Sequence, residues 1–457
     1  MTLIIVAILL LCYFLIVTES VTNINKAAAA IFCGTLGWVL YVCFGTHFVM
    51  SQHPMEYSDF LSEMAFTSTS SAVRNYIAHD IFLKYVGRAS EIVLFLLATM
   101  TIVEVLSNNG CFDFLRQLLR TRRSGKMLWT LSGITFVLSA NLDNLTSTVM
   151  MLTIMHEIIP NRRQRMLFGS AIVLAANCGG ALTVIGDAAG LWLWNMGYVT
   201  ATSYSMALAL PCLTAWAVPT WYIGRQLPER VDTEWITMPY RGDDTRLNTW
   251  QRLLMLVVGI GGLWFIPTFH SLTELSPFLG ALCVLAVLWI VNEIFNHKLL
   301  RAGFLTRSSL PVVLKYGVIQ MMLYVMGMML IIGVVQETGV LAWVTRMMRA
   351  YIHNIWVDGL MAGGLSTVLE NFATALTTFS LGSTQEAMLA DFGTNGLFWK
   401  LTAYATAVGG NILCFGSMSG LALMKMERLH IGWFFRHVGW MALVGALLGM
   451  VFFMLIK

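Results

Sequence analysis

The chain has 457 residues, of which 57% are hydrophobic and only 11% charged, with a formal net charge of +4. Apolar runs long enough to cross the roughly 30 Å hydrocarbon layer recur throughout, which excludes a soluble domain and predicts a polytopic membrane protein. Open sheet edges cannot face lipid, so the expected fold class is all-α, with about ten full crossings. The small positive balance sits in loops, where it orients a membrane protein instead of recruiting nucleic acid. Eight cysteines without C-x-x-C spacing and nine histidines without an H-x-x-x-H pair predict structural thiols, no resident metal and no cofactor.

In chain order, apolar stretches fall near residues 2–18, 27–45, 91–107, 166–186, 205–224, 253–269, 277–295, 318–336, 397–424 and 433–455. The first, TLIIVAILLLCYFLIVTES, lacks a basic head and a small-residue cleavage site and reads as a retained transmembrane helix. Short basic loops mark the cytoplasmic side: RQLLRTRRSGK at 116–126, NRRQR at 161–165, the segments 225–252 and 297–315, and the cluster Lys425, Arg428 and Arg436. Both termini then lie outside. Residues 1–90 become N-terminal scaffold helices with an external segment, 225–252 a cytoplasmic loop, and 253–295 further scaffold helices.

Residues 127–159 lie between two basic loops that share the cytoplasmic side, so this stretch must enter the membrane and return. Its 33 residues reach only about 50 Å as helix, short of the roughly 60 Å that two full crossings need. A re-entrant hairpin is predicted, with its turn near SANLDNLTS. At that depth irregular backbone survives only where it faces protein or a water-filled cavity.

The two halves repeat with an offset of 227 to 230 residues. ATMTIVEVLSNNGCFDFLRQLLR aligns with GMMLIIGVVQETGVLAWVTRMMR, placing Gly110 on Gly339. LDNLTSTVMM aligns with LENFATALTT, placing Asp143 and Asn144 on Glu370 and Asn371. CGGALTVIGDAAGLWL aligns with VGGNILCFGSMSGLAL, placing Gly179, Gly180 and Gly186 on Gly409, Gly410 and Gly416. Repeat 1 covers 91–224, with a hairpin at 127–159 and a broken helix at 166–196. Repeat 2 covers 318–457, with a hairpin at 358–381 and a broken helix at 397–424. In the predicted topology the copies run in opposite directions. Inverted repeats with broken helices build solute sites near the bilayer midplane, so the pattern predicts a secondary transporter, and the double glycines are expected to supply the breaks.

The expected site gathers Asp143, Asn144, Asn177 and Asp187 from the first half with Glu370, Asn371, Asn411 and Ser417 from the second. A charge at the helix centre costs about 2.5–3.5 kcal/mol on insertion scales, so such acids usually face a cavity and work there. Carboxylate, amide and carbonyl oxygens suit a small hard cation such as sodium, and Asp143 with Asp187 are its expected principal ligands. Carboxylates withdrawn from water also favour protons, so one set of oxygens can hold either ligand in turn. Bland readings stand beside these. Asp143 and Asp187 could cap helix N-termini. Asn144, Asn177 and Asn371 could satisfy broken backbone. Glu104 could serve a proton path or an interhelical hydrogen bond.

The stretches LDNLTSTVMM, AANCGGALTVIGD and GGNILCFGSMSGLALMKME resemble the signatures of NhaD-type sodium/proton antiporters, of the ion transporter superfamily that also contains sodium-coupled dicarboxylate carriers. The resemblance spans residues 91 to 455. It implies a scaffold domain, a transport domain with two oppositely oriented hairpins, a homodimer in a bacterial-type inner membrane, and elevator-like exchange of sodium or lithium for protons. By motif it reaches Asp143, Asn144, Asn177, Asp187 and Asn371, with Ser139 and Ser366 as hydroxyls one turn before the hairpin tips. This chain departs in having Glu370 for an expected Asp, Ala188 and Ala189 for hydroxyl residues, and no proline just before the Ile-Gly-Asp or just after the second Asn, with Val184 and Ala373 in the vicinity. The alternatives are a sodium-coupled dicarboxylate or anion carrier, disfavoured by three acids at the tips, and an intramembrane aspartyl protease. The protease fits poorly, because such enzymes carry Gly-x-Gly-Asp where this chain reads Val184-Ile185-Gly186-Asp187. No enzyme activity is expected.

Overall fold

The computed structural model describes residues 2–22, 24–63, 69–119, 121–231, 247–301, 316–385 and 391–456. Most of the basic segments expected at 225–252 and 297–315 lie outside the described residues. Among the described residues there is no strand; the β-type contact they show is an isolated bridge between Arg123 and Arg230.

The chain opens with α1 (Thr2–Val17) and α2 (Lys26–Phe44), the latter started by Asn25, whose side chain accepts from the Ala27 amide. Two short helices follow, α3 (Thr46–Gln52) and α4 (Pro54–Glu63), and then the long α5 (Ser70–Asn108), capped by Thr69. Next come α6 (Ser124–Asn141), α7 (Asn144–Ile158), α8 (Arg162–Leu182) and α9 (Ala188–Asn195). Three long apolar helices, α10 (Ala201–Gln226), α11 (Thr249–Thr273) and α12 (Pro277–Arg301), lead to α13 (Tyr316–Glu337) and α14 (Val340–Tyr351). The last five are α15 (Ile355–Ser366), α16 (Asn371–Gly382), α17 (Leu397–Gly409), α18 (Met418–Glu427) and α19 (Ile431–Leu455).

Among the described residues eight helices are long and apolar enough to cross a membrane: α2, α5, α8, α10, α11, α12, α13 and α19. The other two apolar runs of the sequence differ for physical reasons. Helix α1 is apolar but has only 16 residues, and the run at 397–424 is divided into α17 and α18 by a non-helical stretch.

The chain divides into two compact units. The first comprises Met1–Val93, Tyr316–Ile355 and Leu376–Phe392. Its centre is the packing of α2 on α13, where the Trp38 indole donates to the Leu330 carbonyl at 3.0 Å. Trp38 also meets Tyr41, Phe82 and Tyr85 at ring-centroid distances of 5.0–5.7 Å.

The second unit comprises Leu94–Lys315, Trp356–Ala375 and Gly393–Lys457. Its core is α8, nearly every residue of which after Leu167 is buried, with α6, α7, α10, α17 and α18 packed around it. Helix α10 carries Pro211 and Pro219 in its interior and lies along α19, whose Gly445 and Gly449 leave room for that approach. At the end of α18 the buried Glu427 accepts from Arg165 Nε at 2.8 Å and meets His156 Nδ1 at 3.1 Å, while Arg162 donates to the Glu427 carbonyl. The basic stretch NRRQR therefore anchors the entry of α8 to α18.

Candidate cation and proton site

The two predicted hairpin regions are helix pairs with polar turns. Helices α6 and α7 are joined by Leu142 and Asp143, both in extended conformation. Asp143 is the N-cap of α7: its Oδ2 accepts from the Thr146 amide at 3.0 Å and from the Thr146 hydroxyl at 3.2 Å. Its Oδ1, also buried, has no side-chain or backbone partner at hydrogen-bond geometry among the described residues. The capping reading therefore accounts for Oδ2, and the backbone amides of Leu145 and Asn144 also act on this carboxylate. One turn on, the buried Ser147 hydroxyl also lacks a partner among the described residues. The sequence reading passed over Ser147, although its i+4 spacing from Asp143 places both on one helix face.

The second helix pair repeats this construction. Residues 367–370 join α15 to α16, and Glu370 Oε2 accepts from the Ala373 amide at 3.0 Å, three residues on, as Asp143 does from Thr146. A proline at 373 would have no N–H to give, so Ala373 is what allows this cap. Asn371 donates its backbone amide to the Gly416 carbonyl at 2.9 Å, and its Oδ1 accepts from the Phe372 amide at 2.8 Å. The Asn371 Nδ2 is buried and without a partner among the described residues.

Matched serines hold both pairs against the interrupted helices. Ser139 Oγ donates to the Ala176 carbonyl and Ser366 Oγ donates to the Thr406 carbonyl, each at 2.6 Å. These hydroxyls position the tips and are committed to backbone. The glycines act through size. A Cβ on Gly179 would run into the Phe136 carbonyl oxygen, and one on Gly409 into that of Gly363, so each glycine lets two backbones touch. In the first half this corrects the expectation that the double glycine makes the break. Helix α8 continues through Gly179 and Gly180 to Leu182, and the non-helical stretch is 183–187. In the second half α17 does end at Gly409. Gly110 and Gly339, aligned in the sequence comparison of the halves, both take the left-handed conformation, with φ +67° and +71°.

Asp187 stands at the N-cap of α9, buried, with no geometric side-chain cap among the described residues, and the backbone amides of Ala188 and Ala189 act on its carboxylate. Ser417 holds the matching place before α18 and accepts from the Gly420 amide at 3.1 Å. The two interrupted helices meet at Asn177. Its Nδ2 donates to Asn411 Oδ1 and to Ser417 Oγ, both at 2.8 Å, while its Oδ1 is buried without a partner among the described residues. Ser419 Oγ adds a bond to the Asn144 carbonyl at 3.3 Å.

Asp143, Asp187 and Glu370 are 4%, 7% and 3% exposed, and Asp187 feels the charges of both others. Neither Asp143 nor Asp187 is paired with a lysine or arginine among the described residues. Among the described residues no three His, Cys, Asp or Glu groups stand close enough to form a metal cage. A small cation held by one or two of these acids would complete its shell with amide, hydroxyl or carbonyl oxygens; among the described residues Asn177 Oδ1 and Ser147 Oγ are unengaged. Glu104 stands apart on α5, where its Oε1 accepts from Asn108 Nδ2 at 3.4 Å, one turn on in the same helix.

Fold and site together define an all-α polytopic membrane protein whose buried acids gather at paired interruptions of helix. The family model for citrate transporters, CitMHS, matches residues 1–409, and the chain belongs to that family. Its relatives bear out the NhaD-type resemblance. The chain is 31% identical over 370 residues to sodium/proton antiporter 2 of Arabidopsis thaliana, covering 80% of this chain and 85% of that protein. It is 32% identical over 368 residues to sodium/proton antiporter 1 of the same plant, covering 79% of this chain but only 60% of the relative. To the Na(+)/H(+) antiporter NhaD of Vibrio parahaemolyticus it is 25% identical over 374 residues, covering 77% and 86%.

Proposed function

We propose that the protein is a secondary transporter that exchanges sodium or lithium for protons. The observation that carries this reading is the buried set of Asp143, Asp187 and Glu370, in which Asp187 feels the charges of both others. Three acids withdrawn from water cannot all stay charged and empty. Each conformational crossing must carry a ligand that neutralises them, either a metal ion or protons, and competition for the same oxygens couples the two flows. Asp143 and Asp187 are the principal cation and proton ligands in this reading. Asn144, Asn177, Glu370 and Asn371 complete the site, and Ser139, Ser366, Asn411 and Ser417 position it.

The matched bonds at Ser139 and Ser366 and the matched glycines support an inverted repeat with two re-entrant hairpins. We take the second unit as the part that carries the ion in an elevator-like movement, in a homodimer resident in a bacterial-type inner membrane. The names of the Arabidopsis and Vibrio relatives support sodium and proton as the substrates. The citrate transporter description of the family favours one rival, a sodium-coupled carrier of a dicarboxylate or tricarboxylate anion. Proteoliposomes with a preset pH gradient separate the two. The exchange reading expects sodium or lithium to dissipate the gradient with no anion required. Sodium-dependent uptake of labelled citrate, with an intact gradient, would establish the rival.

A further inference from the structure

The first unit holds titratable groups that ion exchange at the helix interruptions leaves unused. Glu337, at the end of α13, has a side chain only 7% exposed and is met by three groups from three other elements. Tyr85 donates to its Oε1 at 2.7 Å, Tyr41 donates to its Oε2 at 3.4 Å, and His53 Nε2 stands 2.8 Å from Oε2. The other ring nitrogen of His53 stands 2.7 Å from Oε2 of Glu56, whose side chain is 65% exposed. One imidazole therefore bridges a buried carboxylate and a solvent-facing one. A neutral imidazole has a single N–H and can donate to only one of them, whereas the imidazolium donates to both.

We propose that His53, Glu56 and Glu337 form a proton-binding site in which His53 holds an exchangeable proton between the two carboxylates. Glu56 collects it: the O–H bond of its carboxylic acid breaks and the Nδ1–H bond of His53 forms, leaving the imidazolium between two carboxylates with no further reactant. The bound proton fastens α4, through Glu56, to α13. His53 is itself fixed by its backbone amide, which donates to the Val49 carbonyl at 2.9 Å. Other groups face the site from the surrounding elements. Tyr76 donates to Glu56 at 3.4 Å, Lys84 acts on Glu56, Arg88 acts on Tyr85, and Asp80 acts on Tyr76. Consistent with the geometry, the bond to Glu337 is the main cause that holds His53 above the ordinary histidine value, and the bond to His53 is the main cause that holds Glu56 below the ordinary carboxylate value. In the topology given by the basic loops this junction faces the external side.

The test is a pH titration of the full-length protein in lipid nanodiscs with nitrogen-labelled histidine, His53 being assigned by its loss in His53→Gln. The expected result is a His53 midpoint above about 6.5, both ring nitrogens protonated below it, and a lower midpoint in Glu56→Gln and in Glu337→Gln. A His53 midpoint at the ordinary value, or one that neither substitution moves, overturns the proposal. Should Glu337→Gln fail to fold, the exposed Glu56→Gln decides alone. The measurement reads equilibrium proton binding without transport, so its failure leaves the exchange reading standing, and the reverse holds too.

Discussion

The bond network at Asn177 makes a quantitative prediction. Asn177 is nearly inaccessible and donates two 2.8 Å hydrogen bonds, to Asn411 and Ser417, that tie the interrupted helix of one half to that of the other. Asn177→Ala removes both. Ser417 keeps its bond from Gly420, but Asn411 Oδ1 loses its donor in a buried place. Interhelical hydrogen bonds in membrane proteins are worth about 0.6 kcal/mol on average and about 1.7 at most, and an unsatisfied buried group costs about 1–3 kcal/mol. The single substitution should therefore destabilise by about 1–3 kcal/mol. Asn411→Ala removes the same partnership from the other side, so the double variant should lose less than the sum of the singles, by about 0.6–1.7 kcal/mol. Reversible unfolding in mixed detergent micelles, with denaturing detergent as titrant, measures all four corners of the cycle. Additivity to within about 0.3 kcal/mol would refute the claim that these two amides join the halves.

Other consequences follow from single positions. Gly179→Ala should sharply lower the yield of folded protein, because its Cβ meets the Phe136 carbonyl, while Gly364→Ala, where open space surrounds the position, should be neutral; size-exclusion profiles compare them. Ala373→Pro should abolish the donor to Glu370 and raise the half-saturating sodium concentration several-fold in a vesicle assay. The pH dependence of stability has a definite sign. A histidine raised on folding contributes stability present below its unfolded value of about 6.5 and lost as pH rises through the folded value. Wild type should therefore exceed His53→Gln in melting temperature at mildly acidic pH, with the gap closing as pH rises. Glu56, lowered on folding, contributes above its unfolded value of about 4.3 and loses the contribution as pH falls through the folded one.

Much of this molecule is legible in the bare sequence, because lipid imposes simple rules. Apolar length finds the long helices, and the polar words LDN and LEN find the turns between α6 and α7 and between α15 and α16. What stays hidden depends on direction and distance. Periodicity cannot say that α8 passes through Gly179 and Gly180, since the same small residue serves a break or a close contact, and only the neighbouring Phe136 carbonyl decides between them. The apolar window at 91–107 understates α5, which begins at Ser70, because Arg74, Lys84 and Arg88 lower local hydropathy without stopping the helix. Ala373 looked like a missing proline, and its role as donor to Glu370 emerges only with coordinates. Asn177 and Asn411 are 234 residues apart, and His53 and Glu337 are 284 apart; no local pattern joins them.

The most direct test of the central claim is sodium-driven proton movement in proteoliposomes bearing Asp143→Asn, which keeps the shape of the turn and removes its titrating charge. The account predicts that the flux disappears while the protein still folds and inserts. A flux equal to that of the wild type would take Asp143 out of the mechanism and contradict the account.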